Sequence, residues 1–310
     1  MSQSPDETRS EFSIHPKTLL GEVSLSVTNL ERQVAFYRDF LGLSLLRQDD
    51  SQAELGAPAT GQVAARTLVH LKQEPSFRRY RGVTGMYHFA LLFPSRRELA
   101  RGLARLIARQ YPNSPTDHIM TKTTYLDDPE DNGLELYAES PEDGSWSLAD
   151  GQYITRRADG SLSNGREPLD VEALLSHLMQ DDRLDVPVPS ETRLGHIHLH
   201  VRDIREAVDF YHGVLGFDLM GDARAFRMAF VSAGGYHHHI GLNTWQGEGA
   251  PAPPADALGM RYFRVLLPDQ SEWQRVLSRV RAHGIAVEEQ DGGMLVRDPS
   301  HNGVLLAAGP

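Results

Sequence analysis

The stretch Gly195–Val201, with the sequence GHIHLHV, decides the fold because an earlier part of the chain repeats its pattern. Gly21–Val27 reads GEVSLSV, so a glycine again precedes a polar residue and then apolar residues at every second position. The same offset of 174 residues relates Leu41–Gly42 to Leu215–Gly216. A repeat of this length indicates that one architectural unit has been duplicated. We therefore predict two similar halves.

Each half contains two similar units in turn. An alternating strand opens each unit and an amphipathic helix follows it, with Asn29 as the candidate cap of the first helix. In the second unit the alternating strand covers Tyr87 to Phe93 and the helix covers Arg96 to Arg109. Short strands complete each unit. The pattern predicts a βαβββ unit used four times, which we number modules one to four.

The pattern also divides the chain into four segments. Residues 1–17 are polar and are expected to form a mobile lead, whereas residues 18–140 and 193–310 hold two modules each. Residues 141–192 interrupt the repeat and are rich in Gly, Asp, Ser and Pro. They are predicted to form a linker with one helix near Val171–Met179, capped by Asp170.

Composition excludes several classes of function. The 310 residues include 31 Lys and Arg against 42 Asp and Glu, and the resulting net charge of −11 disfavours nucleic acid as a partner. No run approaches the roughly 18 apolar residues of a membrane span, and the N-terminus does not resemble a signal peptide, so a cytoplasmic protein is expected. With no cysteine and 14 histidines, a tightly bound metal would need imidazole and oxygen ligands.

The four modules resemble the vicinal-oxygen-chelate superfamily. The resemblance implies an α+β fold in which two tandem halves form curled half-barrel sheets with outer helices, and paired modules make a cup around a metal. Within the superfamily, one segment resembles the signature of type I extradiol ring-cleaving dioxygenases such as catechol 2,3-dioxygenases. The matching residues are His118, Tyr125, Asp128, Pro129 and Glu135. The segment departs from the signature at Thr124 and Asp131, neither of which is a reactive group.

The resemblance implies a metal site built from His88, Glu135 and His196. Two histidines and one carboxylate leave open positions on a metal, which suits Fe(II) with a catecholate and O₂ bound side by side. Mn(II) is the alternative metal. At the corresponding positions, modules one and four offer only Glu22, Tyr262 and Leu305, so their cup is expected to be degenerate.

The ligands are distributed over modules two and three, on either side of the linker. His88 and Glu135 belong to module two, and His196 belongs to module three. We therefore hypothesise that the working cup joins these two modules across the linker. An equivalent pairing between two subunits of a homodimer is the alternative.

The catalytic groups that the resemblance implies are His238, His118 and Tyr125. Residues 237–239 are three histidines before an apolar strand, and the match to the apolar end assigns the acid–base role to His238. His118 and Tyr125 would hydrogen-bond the substrate oxygen on the metal. Strand alternation should point His238 away from both of its histidine neighbours. His198 and His200 share the face of His196 without an assigned role.

These observations favour an extradiol dioxygenase that uses O₂ to open a catechol-type or hydroquinone-type ring. One alternative is a glyoxalase-type isomerase, but that chemistry usually needs a carboxylate base where this chain has His238. The other alternative is a protein that sequesters a small molecule without turning it over. Such proteins commonly lack a full metal set, whereas the set here is complete if modules two and three meet.

Overall fold

The computed structural model describes residues 12–149 and 152–309, and it has the predicted α+β architecture. Both modules of the first half have the order βαβββ. Module one comprises β1 (Leu19–Val27), α1 (Leu30–Asp39), β2 (Ser44–Gln48), β3 (Gln52–Ala57) and β4 (Arg66–Gln73). Module two comprises β5 (Gly85–Leu92), α2 (Arg96–Ala108), β6 (Ser114–Asp117), β7 (Thr121–Asp127) and β8 (Gly133–Glu139).

The linker and the second half follow in the chain. The linker holds β9 (Gly144–Ala149), β10 (Gln152–Arg157), β11 (Leu162–Ser163), β12 (Glu167–Pro168) and α3 (Val171–Leu175). Module three comprises β13 (Arg193–His200), α4 (Ile204–Val208) with a π-helical continuation (Asp209–Val214), β14 (Asp218–Ala223), β15 (Met228–Ser232) and β16 (Ile240–Asn243). Module four comprises β17 (Gly259–Leu267), α5 (Gln270–Ala282), β18 (Glu288–Gln290), β19 (Gly293–Arg297) and β20 (Gly303–Ala308).

Side chains cap the helices as the sequence predicts. The Asn29 side chain accepts a hydrogen bond from the Arg32 backbone N–H, and Asp170 accepts one from the Ala173 N–H. These caps satisfy backbone donors that have no partner within the helix. The linker helix predicted near Val171–Met179 is real but ends earlier, at Leu175.

The large sheets pair modules from different halves. An eight-stranded sheet has the order β18-β19-β20-β17-β1-β4-β3-β2, and a nine-stranded sheet has the order β12-β6-β7-β8-β5-β13-β16-β15-β14. In the second sheet β5 and β13 are antiparallel, with Phe89 opposite Ile197. The hypothesis that modules two and three form one cup within a single chain is therefore confirmed.

The helices cover the outer faces of both sheets. The predicted helix-to-sheet core residues Phe36, Tyr37, Phe210 and Tyr211 are all buried. The Tyr37 hydroxyl also donates to Asp128, whose carboxylate accepts from the backbone N–H groups of Glu130 and Asn132. Tyr211 and Asp298 make the same contact in the other half. Asp128 and Asp298 are the acidic residues of two equivalent acidic-Pro turns. The second turn lies beside the cup whose ligand positions hold Glu22, Tyr262 and Leu305, so the turn has a structural role that does not depend on a metal site.

The linker and the lead contain structure that the sequence does not predict. Strands β9 to β11 form a small sheet, and β12 adds to the edge of the nine-stranded sheet by pairing with β6. Residues 12–17 are packed although they fall within the expected mobile lead. Ile14 is buried and its N–H donates to the Gly216 carbonyl, while the His15 N–H donates to Glu272. Residues 1–11 of that lead lie outside the described residues.

No helix in the described part of the chain is both long enough and apolar enough to cross a membrane.

Candidate metal centre

Strand register brings the three expected ligands together around a small residue. Ala90 on β5 pairs with Glu135 on one neighbouring strand and with His196 on the other. His88 lies two positions before Ala90 on the same strand and therefore points to the same face. Because the alanine side chain is short, the three longer side chains can converge above it.

The three candidate ligand atoms lie close enough together to reach one ion. The Glu135 Oε2 atom is 3.0 Å from His196 Nε2 and 3.3 Å from His88 Nε2. One potential ligand atom from each residue lies within 4.8 Å of the other two, and this is the one such group among the described residues. All three side chains are buried.

The donor set fits a divalent metal. His88 Nδ1 and His196 Nδ1 are buried without a hydrogen-bond partner among the described residues, and His88 Nε2 has only its 3.3 Å contact with Glu135 Oε2, a costly state for polar atoms that have no further role. Burial opposes ionisation of Glu135, but His196 and His88 outweigh it and hold its pKa well below the usual range. Burial lowers the pKa of His196 and so favours its neutral, ligating form. Two nitrogens and one carboxylate are the ligands of many first-row transition metals.

The three consecutive histidines precede β16 and only partly follow strand alternation. The His238 ring lies 4.3 Å from the His196 ring and 4.8 Å from the Phe230 ring, so His238 faces the cup. His237 faces it too, with its ring 6.2 Å from that of His196. The expectation that His238 points away from His237 is therefore wrong, because this segment is irregular and strand alternation does not apply to it. His239 does turn away, and its Nδ1 accepts a hydrogen bond from the Ala233 N–H.

Burial keeps two members of this run neutral. It lowers the pKa of His238 well below the usual histidine value and lowers that of His239 to about 3. A neutral imidazole has one nitrogen with a free lone pair, which is the form that accepts a proton.

His118 and Tyr125 form a pair at another side of the cup. His118 Nε2 lies 2.8 Å from the Tyr125 hydroxyl, and the Tyr125 ring centre is 5.5 Å from that of His88. His118 Nδ1 lies 2.6 Å from the Gly165 carbonyl of the linker, which can only accept, so Nδ1 carries the hydrogen. Burial raises the pKa of Tyr125 well above its ordinary value, and the phenol stays protonated.

The other two strand histidines line the same cup. His198 is buried, with its ring 5.3 Å from that of His88 and 5.4 Å from Trp245, and its Nε2 has no hydrogen-bond partner among the described residues. Gly241 on the adjacent strand makes room for it, because a Cβ there would lie 2.7 Å from the His198 ring. His200 Nδ1 hydrogen-bonds Asn243. The inner wall is therefore mostly aromatic rings, a surface suited to a flat ligand.

The linker contributes to this wall, which the sequence does not indicate. Besides the Gly165 carbonyl, the Arg166 guanidinium lies 5.7 Å from the Tyr125 ring centre, and the Trp146 ring lies 5.8 Å from Phe230. The linker is polar and its strands are short, so no periodic pattern in the sequence predicts its place in the wall. A cavity of about 840 Å³ borders the cup at Tyr87 and His200, but the three ligand side chains do not line it.

The cup of modules one and four holds an ion pair instead. Arg264 pairs with Leu305 in the register that Ala90 and Glu135 have in the other cup. Its guanidinium lies 2.6 Å from the carboxylate of Glu22, which stands at the position of His196. An arginine thus fills the space that the alanine leaves open. Among the described residues, the one group of His, Asp and Glu side chains placed to hold a metal ion lies in the cup of modules two and three.

Comparisons with known proteins agree with this architecture. Residues 19–136 and 193–306 match the model of the Glyoxalase/Bleomycin resistance protein/Dioxygenase superfamily. A catechol-2,3-dioxygenase from Bacillus subtilis (strain 168) is 41% identical over 289 residues, which are 93% of this chain and 96% of that protein.

Two solved structures share the fold at low sequence identity. A putative dioxygenase from Bacillus subtilis is 14% identical, with a TM-score of 0.61 over 97% of this chain and 86% of that one. Glyoxalase I from Zea mays is 16% identical, with a TM-score of 0.55 over 94% and 92% of the two chains.

Proposed function

This chain belongs to the Glyoxalase/Bleomycin resistance protein/Dioxygenase superfamily, and on that premise we propose that it is an Fe(II)-dependent extradiol dioxygenase acting on a catechol-type aromatic with O₂. The observation that carries the proposal is the convergence of His88, Glu135 and His196 in one cup with His238 beside them. The 41% identical catechol-2,3-dioxygenase, which aligns over nearly the whole chain, supports the same reaction class.

The three ligands would hold the metal on one side and leave the other side to substrates. Bound Fe(II) would supply Lewis acidity towards the catechol oxygens and a site for O₂. Mn(II) takes similar nitrogen and oxygen ligands, so metal content has to be measured rather than assumed.

The surrounding residues have separate tasks in this proposal. His238 takes a proton from a catechol hydroxyl, because its neutral ring lies next to the ligand His196. Tyr125 faces the ligand His88 and donates its one hydroxyl hydrogen to His118 Nε2, so it would turn that hydrogen from His118 to a substrate oxygen on which negative charge develops. The buried aromatic side chains that line the cup keep water away from the substrate ring while it is cleaved.

The arrangement argues against the two alternatives considered from the sequence. A glyoxalase-type isomerase usually needs a carboxylate base from the end of module three, where the residue that enters the cup just before β16 is the neutral His238. A sequestering protein has no need of a buried carboxylate flanked by two imidazoles.

Anaerobic reconstitution tests the proposal. The purified protein is loaded with Fe(II) or Mn(II), mixed with catechols, and exposed to O₂ while oxygen uptake and the ring-opened product are followed. We expect one O₂ consumed per ring opened, with metal bound at about one ion per chain. Metal binding without oxygen uptake across a broad catechol panel would contradict a dioxygenase, and no metal binding would favour sequestration.

A further inference from the structure

A chain of hydrogen bonds leads from His238 out of the cup to Glu139, at the end of β8. His238 Nδ1 lies 2.7 Å from His237 Nδ1, and His237 Nε2 lies 3.1 Å from Glu139 Oε1. The same carboxylate oxygen accepts from the Tyr236 hydroxyl at 2.6 Å. Tyr236 is in turn 2.5 Å from the Tyr137 hydroxyl. These contacts have no part in the metal site described above.

The chemistry of Glu139 gives every bond in the chain a direction. Burial opposes its ionisation, but the bonds from His237 and Tyr236 outweigh burial and lower its pKa. A carboxylate only accepts hydrogen bonds, so Tyr236 must donate to it and His237 must donate from Nε2. Tyr137 then donates to Tyr236, and all the hydrogens point towards Glu139.

This direction determines which nitrogen of His238 is free. With a single hydrogen on its ring, a His237 that donates from Nε2 to Glu139 accepts at Nδ1. His238 must then donate from its own Nδ1. Its Nε2 consequently keeps a lone pair, and no described residue hydrogen-bonds that atom. This is the tautomer that a proton acceptor in the cup requires.

Two further observations tie the chain to the metal cup. Gly195, next to the ligand His196, allows the Tyr137 hydroxyl to pass, because a Cβ at this position would lie 1.9 Å from it. In the cup of modules one and four, the positions of Tyr137 and Glu139 are held by Ala307 and Gly309. The cup that has the candidate metal ligands therefore also has this chain of hydrogen bonds. The cup of modules one and four has neither among the described residues.

We infer that Glu139, acting through His237, is a positioning residue that fixes the tautomer of His238 with Nδ1 protonated and Nε2 free. The inference rests on the proposed function for the use of that lone pair, but the tautomer itself is a property of the protein alone. Residues that only orient a catalytic or ligating group typically change activity or affinity by roughly 10- to 100-fold.

Nitrogen NMR tests the tautomer directly. The probe is ¹⁵N-histidine-labelled protein loaded with Zn²⁺, a diamagnetic ion, and a His238→Gln variant assigns the His238 signals. We expect a protonated Nδ1 and an unprotonated Nε2 in the wild type. Glu139→Met removes the acceptor and should abolish that preference, whereas Glu139→Gln keeps an acceptor oxygen and should preserve it. A wild-type His238 protonated at Nε2 would overturn the inference.

Kinetics of the Fe(II)-loaded protein test the consequence. Glu139→Met should lower kcat by roughly 10- to 100-fold with KM and metal content close to wild type, and Glu139→Gln should restore most of the loss. Glu142→Met is the matched control, because this glutamate pairs with Arg96 at the surface and lies outside the chain of bonds.

Equal loss in Glu139→Gln and Glu139→Met would show that the charge matters rather than the acceptor, and would refute the inference. A wild type that cleaves no catechol would instead refute the proposed function and leave the NMR result to decide the tautomer.

Discussion

His196 Nε2 lies 3.0 Å from Glu135 Oε2, although the two residues are 61 positions apart and belong to different halves of the chain. The contact exists because β5 pairs with β8 of its own module and with β13 of the other half. Among the described residues, the candidate metal-binding group therefore belongs to neither half alone. It is completed by the pairing of the two halves, so its geometry depends on their association.

Removal of either imidazole should abolish metal binding. His88→Ala and His196→Ala are each expected to weaken metal affinity by roughly 100-fold or more, since loss of a residue that only orients a ligand already costs 10- to 100-fold. Metal analysis after dialysis and the metal-dependent rise in Tm measure this. A metal at 100 times its Kd stabilises a protein by about 2.7 kcal/mol, and a 100-fold loss of affinity should reduce that increment to about 0.4 kcal/mol.

His283→Ala serves as the control for these variants. His283 is exposed at the end of α5 and should retain both the metal and the rise in Tm. Unchanged metal content in either cup variant would mean that the ion binds elsewhere.

Ala90→Arg should convert the metal cup into a copy of the other one. In modules one and four the equivalent Arg264 pairs with Glu22, and an arginine at position 90 has Glu135 within reach on the neighbouring strand. We expect a folded protein that binds no metal and has no activity. Overpacking should cost about 1–3 kcal/mol of unfolding free energy, partly offset by the new ion pair. Circular dichroism checks the fold and metal analysis checks the site, and a variant that still takes up one ion per chain would contradict this account of the cup.

The repeat in the sequence predicts the module order, and the ligand positions that the family resemblance implies predict the pairing of modules two and three. It does not reveal that Ala90 lies between Glu135 and His196. That relationship depends on the register of three strands, two of which come from module two and one from module three.

Irregular segments explain the remaining differences. Alternation correctly places His196, His198 and His200 on one face because all three lie in β13. It fails for His237, which precedes β16 and has no ladder to fix its direction. The linker strands β11 and β12, which flank Gly165, have two residues each, too few to produce a periodic signal. For that reason the Gly165 carbonyl, which orients His118, could not be found from sequence.

His238→Gln should separate metal binding from turnover. The side chain is not a ligand in the geometry described, so metal content should remain at the wild-type level. Loss of a positioned proton acceptor typically costs 10²- to 10⁴-fold, and we expect a fall in kcat of roughly that size. Single-turnover kinetics under limiting O₂ measure it. A variant that keeps wild-type kcat would remove His238 from the mechanism, and one that also loses the metal would indicate a structural or ligating role.

His239 should make the protein sensitive to mild acid. Its Nδ1 accepts from the Ala233 N–H, which can only donate, so protonation of that atom breaks the bond. Burial lowers its pKa to about 3, whereas an unfolded histidine titrates near 6.5. Between these values the unfolded state binds one more proton than the folded state. Stability is therefore complete above about pH 6.5 and is lost as pH falls towards 3.

His239→Asn tests this pH dependence, because an asparagine oxygen can still accept from the Ala233 N–H without titrating. Urea unfolding of metal-free protein at several pH values gives the slope of the unfolding free energy. The wild type should lose up to about 1.4 kcal/mol per pH unit more than the variant within the window, since one proton is involved. Because the other buried histidines titrate in both proteins, their contribution cancels in the difference. Parallel slopes for the two proteins would show that His239 is protonated in the folded state as readily as in the unfolded one.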